Sequence, residues 1–161
     1  MNRKFIIVGG GTAGYVTALI LKEKFQENID IKIIRSKDIG IIGVGEGSTE
    51  HWSEFLSFVK IDKNKMIKEC GATYKFGIMF EGWGSKNYLH SLIKEWDVTI
   101  GQEHISFLSL IANKKKLAPD FLYKNILPID VDCKQFHFDT HKLNDYLQKL
   151  CIERGMRITD D

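Results

Sequence analysis

The chain has 161 residues, 43% of them apolar, and its 23 basic and 21 acidic side chains leave a formal net charge of +2. That length suits one domain with a real hydrophobic core, which excludes a disordered tail, and the near-neutral balance gives no reason to expect nucleic acid as a partner. No apolar run approaches the ~20 residues that span a bilayer, and "MNRK" leads into a strand without a cleavable signal, so a cytoplasmic protein with no membrane contact is expected.

"FIIVGG", residues 5–10, is a short β-branched run ending in glycines. "TAGYVTALILKEKF" after it reads as a helix apolar almost all round, hence a buried one. "DIKIIRS" supplies a second strand and completes a βαβ unit. "IIGVGEGSTEHWSEFLSFVKI" passes from a glycine-rich loop into a helix, with Ser48 or Thr49 as its cap and Trp52, Phe55, Leu56 and Val59 as its apolar stripe. A shorter helix from about Lys63 to Cys70 closes on Gly71.

"GATYKFGIMFEGW", residues 71–83, then predicts a strand, with Tyr74, Phe76, Ile78 and Phe80 on a core face and Lys75, Gly77, Met79 and Glu81 on the other. Interior strand glycines often mark close approach of a ligand, so the room that Gly77 leaves beside Lys75 singles this lysine out. A lysine snorkelling from a strand edge is the plainer reading of the same residues. Beyond Trp83 the pattern gives a helix over "HISFLSLIANKKK" with Lys114–Lys116 as a solvated last turn, a loop around Pro119 to Pro128, and an extended "KQFHF". Asp139 or Thr140 caps "HKLNDYLQKLCIERG", whose Leu143, Tyr146, Leu147 and Leu150 share a face. Gly155 stops that helix before "MRITDD" begins another strand. Three cysteines without CxxC spacing predict reduced, structural thiols. His137 and His141, one extended and one helical, suggest no metal.

Gly9, Gly11 and Gly14 match G-x-G-x-x-G directly after a strand and opening a helix, the context in which the motif binds a dinucleotide. The first glycine allows the turn, the second lets backbone reach a pyrophosphate, and the third lets helix and strand pack closely. The acidic residue expected ~20 positions on, to hold a ribose hydroxyl, is missing. Arg35 and Ser36 stand there instead, which keeps an NADP reading in competition, because an arginine at this point accommodates a 2′-phosphate. A second loop, "GIIGVGEGST", carries Gly40, Gly43, Gly45 and Gly47 around a lone glutamate and lets backbone come close to a bulky planar ligand.

Taken in order, "VGGGTAG", "IGVGEGST", "ATYKFGIMFEGW" and "FHFDTHKLNDYL...RG" resemble the N-terminal part of the flavin-dependent tryptophan halogenase family, from about Phe5 to Arg157. The resemblance implies an α/β fold: a Rossmann-like FAD-binding βαβ arrangement, as the incomplete N-terminal portion of a larger flavin monooxygenase-like fold. It also implies FAD reduced by a separate flavin reductase, halide ion as co-substrate, and an aromatic substrate such as tryptophan or another indole. A homodimer of the full-length parent is compatible with it. The family's flavin contacts fall on Gly9, Gly10, Gly11, Ala13 and Gly14, on Arg35, Ser36 and Ile39, and on Ile42, Val44 and Gly47; its catalytic lysine falls on Lys75.

The chain departs from the family at Arg35, where an acidic residue is usual, and at "GVGEGSTEHW", which lacks the proline that commonly follows the threonine. The W-x-W-x-I-P segment, the later GD motif and the catalytic glutamate are absent. Residues 1–161 are therefore expected to be the N-terminal FAD-binding portion, without the substrate-binding and C-terminal parts and inactive alone. Another FAD-dependent monooxygenase, or a non-catalytic truncated or split-gene flavin-binding chain, is the alternative.

Overall fold

The structure, a computed structural model, describes residues 3–85, 87–92, 98–100, 103–105, 114 and 133–161. In chain order the elements are β1 (Arg3–Val8), α1 (Thr12–Phe25), β2 (Ile29–Arg35), β3 (Glu46–Gly47), α2 (His51–Phe58), α3 (Lys63–Cys70), β4 (Thr73–Tyr74), β5 (Gly77–Phe80), β6 (Tyr88–Ser91), β7 (Val98–Ile100), β8 (Glu103–Ile105), β9 (Phe136–Phe138), α4 (Thr140–Glu153) and β10 (Arg157–Asp160). They form two compact units, one of residues 1–73 with 136–161 and one of residues 74–135.

In the first unit β1 and β2 run parallel from Arg3↔Ile29 to Val8↔Ile34, and α1 is the crossover that a parallel pair requires. β10 lies along the other edge of β2, also parallel, from Arg157↔Lys32 to Asp160↔Arg35. β2 is thus the central strand, and its alternation puts Ile29, Ile31 and Ile33 in the core. These join Tyr15, Ala18 and Leu19 of α1 and Leu143, Leu147 and Cys151 of α4 in one buried cluster. Each such aliphatic side chain contributes roughly 1.5–3 kcal/mol when fully buried. On β1 only Phe5 and Ile7 pack on that cluster; Ile6 and Val8, on the opposite face, are 65% and 83% exposed.

Local chemistry explains most element ends. Asp62 caps α3 by accepting from Lys65 N, and Gly71 closes it at φ +58°, a left-handed turn that glycine adopts without strain. Asp139, not Thr140, caps α4, accepting from the backbone of His141 and Lys142. The expected cap of α2 does not form. Ser48 is used in the pairing of β3 with β9, where its Oγ accepts from Phe136 N at 2.9 Å and its N–H donates to Phe136 O at 2.8 Å. A hydroxyl committed to a neighbouring strand has no reach to a helix start, and α2 begins later, behind Glu50, with no side-chain cap. Its stripe is as expected at Phe55, Leu56 and Val59, with Trp52 half-buried. All three cysteines are buried thiols outside any disulfide, and burial pushes those of Cys70 and Cys151 up to about 12, which suits structural roles.

In the second unit β5 pairs antiparallel with β6, from Gly77↔Ser91 to Phe80↔Tyr88, and β7 pairs with β8. Phe80 stacks on Tyr88 at 4.9 Å and meets Trp83 in a T-shaped contact at 5.2 Å. The strand expected from Tyr74 through Phe80 is broken: Lys75 and Phe76 lie between β4 and β5. Lys75 N donates to Gln135 O at 2.9 Å, its carbonyl accepts from Cys133 Sγ, and Phe76 O accepts from Leu92 N. These bonds go to different segments, so the period of two does not run across the break. Tyr74 and Ile78, expected in a core, are exposed. The helix expected over residues 104–116 does not begin as such, since His104 and Ile105 belong to β8; Lys114 is helical and exposed. The rest of that helix and the Pro119–Pro128 loop lie outside the described residues.

Candidate functional site

At the carboxyl ends of β1 and β2 the first unit opens into a cavity of about 860 Å³. Open α/β sheets bind their ligands at this end. Three stretches of backbone form its walls: Gly9–Ala13, Arg35–Lys37 and Ile39–Gly43, with Glu46 beyond. α4 adds Asn144, Asp145 and Gln148.

The glycine loop is built as the motif requires. Gly9 sits at φ +127°, where an L side chain would be strained, and its N–H donates to Ile34 O at 2.8 Å. A Cβ on Gly14 would come within 2.0 Å of Gly9 O, so this glycine is needed for packing of helix against turn. Gly14→Ala is expected to lower stability by about 3 kcal/mol, the upper end of overpacking costs, measured by thermal denaturation, with no ligand needed to see the effect. Gly10 is fixed from two sides: its carbonyl accepts from Asn144 Nδ2 at 3.0 Å, and a Cβ there would lie 2.4 Å from Arg35 Cβ.

Gly11 is the contrasting case. A Cβ on it would meet nothing within 4 Å and would project into open space, while its φ of −88° suits any residue. Gly11 is also the N-cap of α1, with no side chain to cap the helix and no acidic residue in the first turn. The helix therefore presents N–H groups and the positive end of its dipole to the cavity, an arrangement that fits an anionic diphosphate.

At the far wall, Arg35 Nε donates to Asp160 Oδ1 at 2.6 Å and Nη1 donates to Gln148 Oε1 at 2.7 Å. Lys37 Nζ lies 2.8 Å from the other oxygen of Asp160. Lys37 and Arg35 hold the Asp160 carboxyl below the usual carboxylate range, and Asp160 in turn raises the arginine. Tyr15 Oη donates to the same Gln148 oxygen at 3.3 Å; burial raises its pKa, and Arg35 opposes the rise. Glu46 accepts from Thr12 Oγ1 at 3.2 Å, which brings the second glycine loop to the start of α1.

Of the residues expected to hold a cofactor, Gly9, Gly10, Gly11, Ala13, Arg35, Ser36, Ile39 and Ile42 line this one cavity. Gly14 serves packing, Val44 is fully exposed, and Gly47 lines a separate hollow of about 390 Å³ with Trp52, Phe55 and Phe138. Lys75 belongs to the second unit. Sequence reasoning missed Asn144, Gln148 and Asp160. Asn144 could have been noticed, because a buried asparagine inside a helix needs a partner.

The model of the tryptophan halogenase family matches residues 4–161. The chain belongs to that family. Over a 189-residue alignment it is 27% identical to tryptophan 7-halogenase RebH of Lentzea aerocolonigenes, covering 98% of this chain and 36% of RebH. Over 78 residues it is 44% identical to 7-chloro-L-tryptophan 6-halogenase KtzR of Kutzneria sp. (strain 744), covering 48% of this chain and 15% of that protein. Among solved structures it resembles Tar14, a tryptophan C-6 flavin-dependent halogenase (chlorinase) from taromycin biosynthesis, with a TM-score of 0.75, 25% identity, and coverage of 99% of this chain and 36% of Tar14. The chain thus spans about a third or less of the length of these halogenases, and over nearly its whole length it shares the mixed α/β fold of Tar14. Among the described residues, no helix is long and apolar enough to cross a membrane.

Proposed function

We propose that the chain is the amino-terminal, cofactor-holding portion of a flavin-dependent halogenase that acts on an electron-rich aromatic, tryptophan or a related indole. The observation that carries this reading is the glycine-walled cavity at the strand ends within a chain that matches the family over residues 4–161. FAD is the group that fits: α1 and the Gly9–Ala13 backbone would receive its diphosphate, and Ile39 and Ile42, 72% and 89% exposed, would offer apolar surface to its ring system. When bound and reduced, FAD supplies with oxygen the oxidising power that turns halide into an electrophile. A separate flavin reductase in the cytoplasm provides the reduced flavin.

Lys75 is the residue we assign to the electrophile. A compact ammonium donates in three directions and its pKa moves readily, which suits an amine that must accept and release a small reactive species. RebH is a tryptophan 7-halogenase and Tar14 a tryptophan C-6 halogenase, and that likeness supports the same substrate class here. The test is to supply the full-length protein with FAD, a flavin reductase, NADH, oxygen, tryptophan and either chloride or bromide. Halogenated product that depends on halide is expected, read by mass spectrometry. Hydroxylated product formed equally well without halide would replace this reading with an ordinary flavin monooxygenase.

A further inference from the structure

A dinucleotide site of this type usually holds the ribose with an acidic residue at the end of the second strand, and uses an arginine there to take a 2′-phosphate. Arg35 is in that place by sequence and by structure: it ends β2, it stands against Gly10, and it lines the cavity. Yet its guanidinium is already engaged. Asp160 comes from β10, directly opposite Arg35 in the parallel register, and takes Nε at 2.6 Å. Gln148, from α4, takes Nη1 at 2.7 Å. Lys37, the second cation at this wall, is held 2.8 Å from the remaining Asp160 oxygen. One carboxylate from the third strand therefore engages both cations that a 2′-phosphate would need.

We propose that Asp160 sets which dinucleotide the cavity accepts: by holding Arg35 and Lys37 it excludes a 2′-phosphorylated nucleotide and restricts the site to one with free ribose hydroxyls. The inference rests on the dinucleotide reading above and goes beyond it, since the family likeness assigns Asp160 no role. Asp160 acts through its two partners and is a positioning residue; it does not itself line the cavity. Its carboxylate does two things at once. It uses donor groups that a phosphate would otherwise receive, and its own charge repels the phosphate.

The experiment is calorimetric titration of FAD, NAD and NADP into the full-length wild-type protein and two variants, Asp160→Asn and the double variant Asp160→Asn with Arg35→Gln. Asparagine keeps the shape and removes the charge. Wild type is expected to bind FAD and to show no NADP affinity above that for NAD. Asp160→Asn is expected to gain on the order of tenfold or more for NADP over NAD, the scale of one charge-assisted hydrogen bond, and to lose that gain as salt is raised. Adding Arg35→Gln is expected to abolish the gain. A merely structural role for Asp160 would weaken all three nucleotides together and leave their ratios unchanged, which would overturn the inference while FAD binding by the wild type left the cofactor reading intact. Failure of the wild type to bind FAD would overturn both.

Discussion

Lys75→Ala in the full-length protein is expected to reduce halogenated product at least about 100-fold, the scale at which a positioned acid–base side chain contributes, while flavin content and reoxidation of reduced flavin by oxygen stay near wild type. Two backbone bonds hold residue 75, from its N–H to Gln135 O and from Cys133 Sγ to its carbonyl, and an alanine keeps both. Lys75→Arg is expected to fail as well, because a planar guanidinium with a pKa above ~12 cannot release its proton or reproduce a compact amine. Product is read by mass spectrometry and cofactor by visible absorbance. Wild-type product from Lys75→Ala would remove this residue from the chemistry.

Gly11→Val is expected to weaken FAD binding on the order of 100-fold, about the loss of two charge-assisted hydrogen bonds at roughly 1.5 kcal/mol each, while the melting temperature changes little. The local backbone suits a valine and a Cβ there meets no protein atom within 4 Å, so the branched side chain would extend into the space that a diphosphate at α1 would need. Gly14→Ala is its mirror image, costing stability before any ligand is added. The pair separates two reasons for a glycine that a motif alone merges. If Gly11→Val bound FAD as well as wild type, the diphosphate would have to lie elsewhere.

The strand–glycine–helix opening was legible because every signal in it is local: β-branched alternation, a turn that needs glycine, and a helix with no polar stripe. α3 and α4 were legible for the same reason, α3 through Gly71 at its end and α4 through Asp139 at its start and Gly155 beyond its end. What could not be read depends on partners distant in sequence. Ser48 looks like a helix cap until Phe136 uses its hydroxyl. Lys75 looks like the middle of a strand until Gln135 and Cys133 fix its backbone outside one. Arg35 looks like a free cation until Asp160 pairs with it across β10 and β2. In each case the residue's own chemistry suggested a role, and a segment about 60 to 125 residues away determined the actual one.

The sheet of the first unit also sets a timetable for synthesis. β1 and β2 emerge from the ribosome together, but β10, which covers the other edge of β2, contains Asp160, 125 residues after Arg35. At roughly 5–20 residues per second the nascent chain holds that edge open for on the order of ten seconds, with residues 74–135 made in between. Limited proteolysis of stalled nascent chains should find β2 protected only after β10 has cleared the exit tunnel; protection in chains ending near residue 130 would contradict this order. An unpaired strand of isoleucines is a template for other strands, so during this interval the edge of β2 is open to mispairing.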